Sequence, residues 1–162
     1  MINIVQIQLG VATPFIKDCM QSVKDYAQCK GYGYTVIKSI PDWYRGGDSY
    51  MNLRALSEWM RLDILAEQPY TLYVDWDIKL KPSFTVPEGL TLSPQIFDCM
   101  MYNHDNTEFF RQARASISGG GLISCNAIIK VLRDGYKYLI FNMDDYTHYE
   151  YSCNKQHLSK GV

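Results

Sequence analysis

An α/β fold built on a doubly wound, largely parallel sheet is predicted from three observations. Two apolar runs of strand length, Ile2 to Leu9 and Tyr34 to Lys38, flank a segment whose apolar residues recur at helical spacing. A second helical stretch, from about Met51 to Glu67, leads past Pro69 into the apolar run Tyr70-Thr71-Leu72-Tyr73-Val74. The order strand, helix, strand calls for a right-handed crossover between parallel strands.

The first run carries Ile2, Ile4, Val5, Ile7 and Leu9 and stops at Gly10, the pattern of a central strand covered on both faces. From Thr13 to Lys30 the apolar stripe is Phe15, Ile16, Cys19, Met20, Val23, Tyr26 and Ala27. Thr13 is placed to cap this helix and Pro14 suits its first turn, while Gly31 and Gly33 are expected to end it. Pro41 to Tyr50, with Gly46, Gly47 and Asp48, reads as a loop. The second helix sets Leu53, Leu56, Met60, Ile64 and Leu65 along one face. Farther on, the pattern predicts a strand over Phe97 to Tyr102, a short helix over Glu108 to Arg114, and a helix over Asn126 to Arg133 that closes at Gly135. The final aromatic and polar segment has no clear period.

A chain of 162 residues suits one compact domain, here 1–162. Sixteen Lys and Arg balance seventeen Asp and Glu, so no basic stripe recommends nucleic acid as a partner. The first residues lack the charged start and small-residue cleavage site of a signal peptide, and no apolar run approaches the roughly 20 residues that span a bilayer. Five scattered cysteines, an odd number with no Cys-x-x-Cys pair, fit a reduced, cytoplasmic setting and argue against structural zinc. Thirteen tyrosines against six phenylalanines offer rings that both stack and hydrogen-bond, compatible with carbohydrate or with half-buried surface.

Asp75-Trp76-Asp77 is the most informative stretch, because it ends an apolar strand with two carboxylates one residue apart. Like charges this close raise each other's pKa unless a cation neutralises them. A hard divalent ion, Mn²⁺ or Mg²⁺, supplies that charge and keeps positions open for a substrate's phosphates. A polar turn closing the strand is the alternative. Ligands in doubly wound sheets sit beyond the carboxyl ends of the strands, where both Gln8-Leu9-Gly10 and Asp75-Trp76-Asp77 fall, so the two segments are expected to face one crevice. In the preceding helix Glu58 and Arg61 stand three apart on one face, which by itself reads as a surface ion pair of little energetic weight.

Taken together, these segments resemble the glycosyltransferases with a DXD sugar-binding region, especially family 32 and its relatives, the clostridial glucosylating toxins and the family 8 transferases. The opening strand Asn3-Ile4-Val5-Gln6-Ile7-Gln8-Leu9-Gly10 is similar to Ile-Ile-His-Gln-Ile-Trp-Leu-Gly of that family. Ser57-Glu58-Trp59-Met60-Arg61-Leu62-Asp63-Ile64-Leu65 resembles its Ser-Asp-x-x-Arg-x-x-x-Leu helix, and Tyr73-Val74-Asp75-Trp76-Asp77 its Tyr-Leu-Asp-x-Asp strand end. Glu58 stands for the usual Asp, Gln8 for a frequent Trp, and the Gly-Gly before the strand is missing.

The resemblance implies a GT-A type, Rossmann-like nucleotide-diphospho-sugar transferase fold. It implies transfer of a hexose from a nucleotide-sugar donor, UDP-sugar foremost, to a glycan or other hydroxyl acceptor with retention of configuration. Glu58 and Arg61 would contact the donor, Asp75 the sugar or ribose and the metal, and Asp77 the metal directly; Gln8, Leu9 and Trp76 would line the donor site. Gly119, Gly120 and Gly121 read either as backbone that approaches a sugar closely or as a tight turn. Asp144 and Asp145 fall where related transferases place an acid beside the sugar, and would serve as base in an inverting enzyme; a solvated helix start is the other reading. The ending His157-Leu158-Ser159-Lys160-Gly161 resembles one that closes metal-dependent transferase sites, with His157 as third ligand and Lys160 on the diphosphate, or else is an exposed tail. Two rival functions stand beside transfer: a nucleotide-sugar-binding module without turnover, and a metal-dependent phosphohydrolase.

Overall fold

The computed structural model describes residues 1–39, 50–86, 91–92, 100–105, 107–116, 139–140 and 146–148. Strand β1 (Asn3–Ile7) leads into helix α1 (Pro14–Lys30) and strand β2 (Gly33–Ile37). Helix α2 (Tyr50–Glu67) then delivers β3 (Thr71–Val74), which turns at once into β4 (Ile78–Leu80). There follow β5 (Thr91–Leu92), β6 (Met100–Asn103), α3 (Thr107–Ser116), β7 (Leu139–Ile140) and β8 (Tyr146–His148). Among the described residues the main sheet runs β2-β1-β3-β6-β5-β7, and β4 pairs with β8 apart from it. β1 is parallel to both of its neighbours, whereas β6 runs antiparallel to β3 and to β5, so the sheet is mixed with a parallel core. The predicted α/β class and the β1-α1-β2 crossover are thus present.

Local chemistry sets the ends of α1. The Thr13 hydroxyl accepts the Ile16 amide at 3.3 Å, and Pro14 opens the first turn, where its missing N–H costs nothing. At the other end Gly31 adopts the left-handed conformation at φ 68°, letting its own N–H reach the Gln28 carbonyl and the Tyr32 N–H reach that of Ala27. Gly33, expected to help end the helix, instead opens β2, where a Cβ would come within 2.6 Å of Asn3 Oδ1.

Strand parity divides the core. On β3, Leu72 and Val74 face one side with Ile4 of β1 and Met100 and Tyr102 of β6; Val23, Tyr26 and Ala27 of α1 cover them, together with Ile78, Leu80 and Phe84. Tyr73, Val5, Ile7 and Met101 face the other side, beneath Met60, Leu62 and Leu65 of α2 and Phe109 and Phe110 of α3. α1 is stitched to β4 by polar contacts as well: the Leu80 amide donates to Ser22 Oγ at 3.2 Å, the Tyr26 hydroxyl to the Phe84 carbonyl at 2.8 Å, and Lys79 pairs with Asp18 at 2.7 Å. β4, β5, β7 and β8 were not legible as strands, each being two or three residues long. Of the predicted loop from Pro41 to Tyr50, residues 41–49 lie outside the described residues while Tyr50 already opens α2, and the predicted helix over 126–133 also lies outside them.

A fully buried amide, Asn103, joins the α2 layer to the sheet. Its Nδ2 donates to the Leu65 carbonyl at 2.7 Å and lies 3.3 Å from the Gln68 carbonyl and from Thr107 Oγ1. The C-terminal carbonyls of a helix have no partners within it, and here one side chain on β6 supplies them. Asn103→Ala is expected to destabilise the protein by about 1–3 kcal/mol, the cost of buried acceptors left unmade, and Thr107→Ala by less. Urea unfolding checks this, a lower midpoint at unchanged slope being the expected result.

Candidate active site

From β1 the chain passes to β2 on one side and, through α2, to β3 on the other, so β1 and β3 flank a topological switch point. Their carboxyl ends continue as Gln8-Leu9-Gly10 and Asp75-Trp76-Asp77. The two segments meet. Gly10 has φ 152°, a conformation that side-chain-bearing residues rarely adopt, and a Cβ there would sit 3.7 Å from the tip of the Trp76 ring. Gln8 is tied down by its amide to the Ile37 carbonyl at 2.8 Å and curls its side chain to the Gly10 carbonyl at 3.2 Å, while Leu9 packs on the α2-side core.

The acidic pair sits in a turn closed by the Ile78 amide donating to the Asp75 carbonyl at 3.2 Å. The expected polar turn is therefore present, but it is not a solvated one. Asp77 is only 5% exposed, and Asp75 and Trp76 are half-buried. An ionised carboxylate removed from water to this degree needs opposite charge and hydrogen-bond donors around it.

Part of that environment comes from Tyr73, two residues before Asp75 and so on the same face of the strand. Its hydroxyl donates to Asp75 Oδ1 at 2.5 Å. Burial holds the phenol well above its ordinary pKa of 10.0; the negative charges of Asp75 and Asp77 push it further, and the charge of Arg61 opposes them. Tyr73 is thus a neutral donor that orients the Asp75 carboxylate. The Arg61 guanidinium stands over the Tyr73 ring, 5.7 Å from its centroid, a cation–π arrangement.

That position corrects the reading of Arg61 as half of a surface ion pair. Arg61 is 3% exposed, because the α2 face that carries it is the face packed on the sheet. The structure thus assembles Arg61, Asp75, Trp76, Asp77, Gln8 and Leu9 around the switch point. Glu58 lies one turn before Arg61 on α2, its side chain outside what is described; Gly119, Gly120, Gly121, Asp144, Asp145, His157 and Lys160 also lie outside the described residues.

Two groups escaped the sequence reading. Tyr73 was readable from its i, i+2 relation to Asp75. Gln6 was readable as a polar residue inside a strand buried on both faces; it is fully buried, and its Nε2 donates to the Asp75 carbonyl at 3.1 Å.

No known protein-family model matches the chain, and no curated protein matches its sequence. Among solved structures it is similar to a glycosyltransferase involved in the glycosylation of the major capsid of PBCV-1. The TM-score is 0.57 at 13% identity, over 88% of this chain and 81% of the other. The fold is one that a glycosyltransferase uses. The likeness supports the transferase resemblance at the level of fold and does not extend to family 32.

The buried phenols make alkaline stability a test of this site. A phenol whose folded pKa is raised keeps its proton where the unfolded chain has released one, so its contribution is complete below pH 10 and is lost as pH rises toward the folded value. Tyr73 behaves this way, and Tyr34, which burial pushes up to about 12, adds to the loss between pH 10 and 12. Urea unfolding at a series of pH values should show stability falling across that window. In Tyr73→Phe the fall should become shallower by about 1.4 kcal/mol per pH unit, the value of one retained proton.

Proposed function

We propose that this chain is a metal-dependent glycosyltransferase that moves a hexose from a nucleotide-sugar, UDP-sugar foremost, to an acceptor hydroxyl with retention of configuration, on a GT-A type fold. The observation that carries the reading is the pair of carboxylates in a largely buried turn at the sheet's switch point, on a fold shared with a glycosyltransferase of similar span.

Asp75 and Asp77 are the residues that would hold Mn²⁺ or Mg²⁺. Among the described residues no three His, Cys, Asp or Glu side chains gather to form a closed metal cage. The donor set, two hard carboxylates, suits an ion that completes its shell with phosphate oxygens and water. When bound, such an ion supplies Lewis acidity that stabilises charge on the departing diphosphate. Tyr73 holds the Asp75 carboxylate in place from within the core. Arg61 contributes a fixed positive charge whose burial leaves it little screened by solvent, the kind of preorganised electrostatics that dominates many catalytic sites. The tip of the half-buried Trp76 ring lies beside Gly10, and an indole at this place is a group suited to stacking on a sugar or base.

The reading is tested by a thermal-shift panel of UDP-, GDP- and CMP-sugars with and without Mn²⁺, in which a ligand specific to the native state raises the melting temperature. A UDP-sugar is expected to stabilise only in the presence of the ion. Asp77→Asn should weaken the metal-dependent part of binding measured by calorimetry by more than the roughly tenfold that loss of even a residue orienting a metal ligand commonly costs; unaltered affinity would refute the assignment. Arg61→Lys keeps the charge but loses the planar fork that grips two oxygens. A fall in donor affinity with a melting temperature shifted by only a few degrees is expected, and an unchanged affinity would confine Arg61 to packing.

A further inference from the structure

Gln6 lies on the α1 side of β1, opposite to the face that carries Tyr73 and Arg61. Ladder pairing of β1 with β3 ends at Val5 and Tyr73. Beyond that point the Gln6 side chain takes over, donating through Nε2 to the Asp75 carbonyl at 3.1 Å. The same carbonyl accepts the Ile78 amide that closes the acidic turn. On the other side Gln6 Oε1 accepts the Tyr34 hydroxyl from β2 at 2.8 Å, and that hydroxyl also lies 3.4 Å from the Met20 carbonyl of α1. A buried polar crossbar thus runs across three strands, β2, β1 and β3, and terminates on the backbone of the turn.

The chemistry of the two ends fixes the amide's orientation. The Asp75 carbonyl can only accept, so the NH₂ must face it, and the Oε1 is left to the Tyr34 hydroxyl. The flipped amide would set oxygen against oxygen at the turn and give up the bond that Oε1 accepts from the Tyr34 hydroxyl.

We propose that Gln6, oriented by Tyr34, is a positioning residue that sets the Asp75–Ile78 turn so that both carboxylates are presented together to a metal-bound diphosphate. The second half of this statement rests on the transferase reading given above; the first half, that Gln6 closes the turn, does not.

The test separates the two. Gln6→Met keeps the size and flexibility of the side chain and removes both the donor and the acceptor. Amide hydrogen exchange by NMR on the protein without ligand reads the turn directly through Ile78 N–H, with Val5 and Leu72 amides as reference for global opening. Ile78 exchange is expected to accelerate about tenfold relative to those strand amides in Gln6→Met, and by less in Tyr34→Phe, where the amide is retained but no longer oriented. In the double variant the Ile78 effect should equal that of Gln6→Met alone, because the two act through one chain of bonds. Exchange at Ile78 that moves only in step with Val5 and Leu72 overturns the role of Gln6, and additive effects overturn that of Tyr34.

Calorimetric titration of the same variants with UDP in Mn²⁺ supplies the second readout. Gln6→Met is expected to weaken metal-dependent UDP binding by about tenfold, as residues that orient metal ligands commonly do. Loss of turn protection with affinity unchanged would refute the link between turn and diphosphate. A wild-type protein that binds neither UDP nor GDP in Mn²⁺ would refute the metal-bound diphosphate on which the second half rests, and the exchange experiment would still decide whether Gln6 sets the turn.

Discussion

The constraint on which this architecture turns is the end of β3. There a strand that is buried along its whole length must stop, reverse into β4, and leave two carboxylates and one backbone carbonyl at the margin of a low-dielectric core. Each of those groups is expensive if unmatched. The solution draws on both faces of the sheet at once. From the α2 side, the Tyr73 hydroxyl donates to the Asp75 carboxylate while the Arg61 charge offsets the effect of the acidic pair on that phenol; from the α1 side, Gln6 and the Ile78 amide share the Asp75 carbonyl. Side chain and backbone of a single residue are thereby held independently.

This two-sided support explains the placement of polar residues that would otherwise look like errors in a hydrophobic pattern. Gln6, Arg61 and Asp77 all interrupt apolar stretches and all are nearly inaccessible to solvent. Asn103 is another such residue, and it serves the frame instead, fastening the end of α2, and hence the helix bearing Arg61, to the end of β6. Buried polar groups with satisfied partners specify geometry in a way that interchangeable aliphatic contacts do not.

Much of the frame was legible in the sequence, because periodicity reports burial. The stripe from Ile16 to Ala27, the cap at Thr13 and the left-handed stop at Gly31 each carry a local physical signature, and α1 follows them closely. β4 and β5 carried no such signature, since two or three residues cannot establish a period, and their pairing is decided by distant partners. At the site, spacing brought out Asp75, Asp77 and Arg61 but misjudged the environment of Arg61. A spacing of three positions says that Glu58 and Arg61 share a helix face; which face packs on the sheet is settled by tertiary contacts. Tyr73 was legible from its i, i+2 relation to Asp75, whereas the partner of Gln6 was not, because a hydrogen bond between strands distant in sequence leaves no trace in the order of residues along one strand.

The stitching of α1 to β4 limits how this chain can vary. Upstream of the acidic turn, β3 is locked in register with β1 and β6; downstream, Leu80 and Phe84 are bonded to Ser22 and Tyr26 on α1. The three residues between Val74 and Ile78 therefore bridge two fixed points without slack. One residue added or removed would shift β4 by one position and swing Ile78 and Leu80 from the core toward solvent, since side chains alternate along a strand. Evolution along this segment is thus confined to exchanges of side chain at constant length, and insertions must enter elsewhere in the chain.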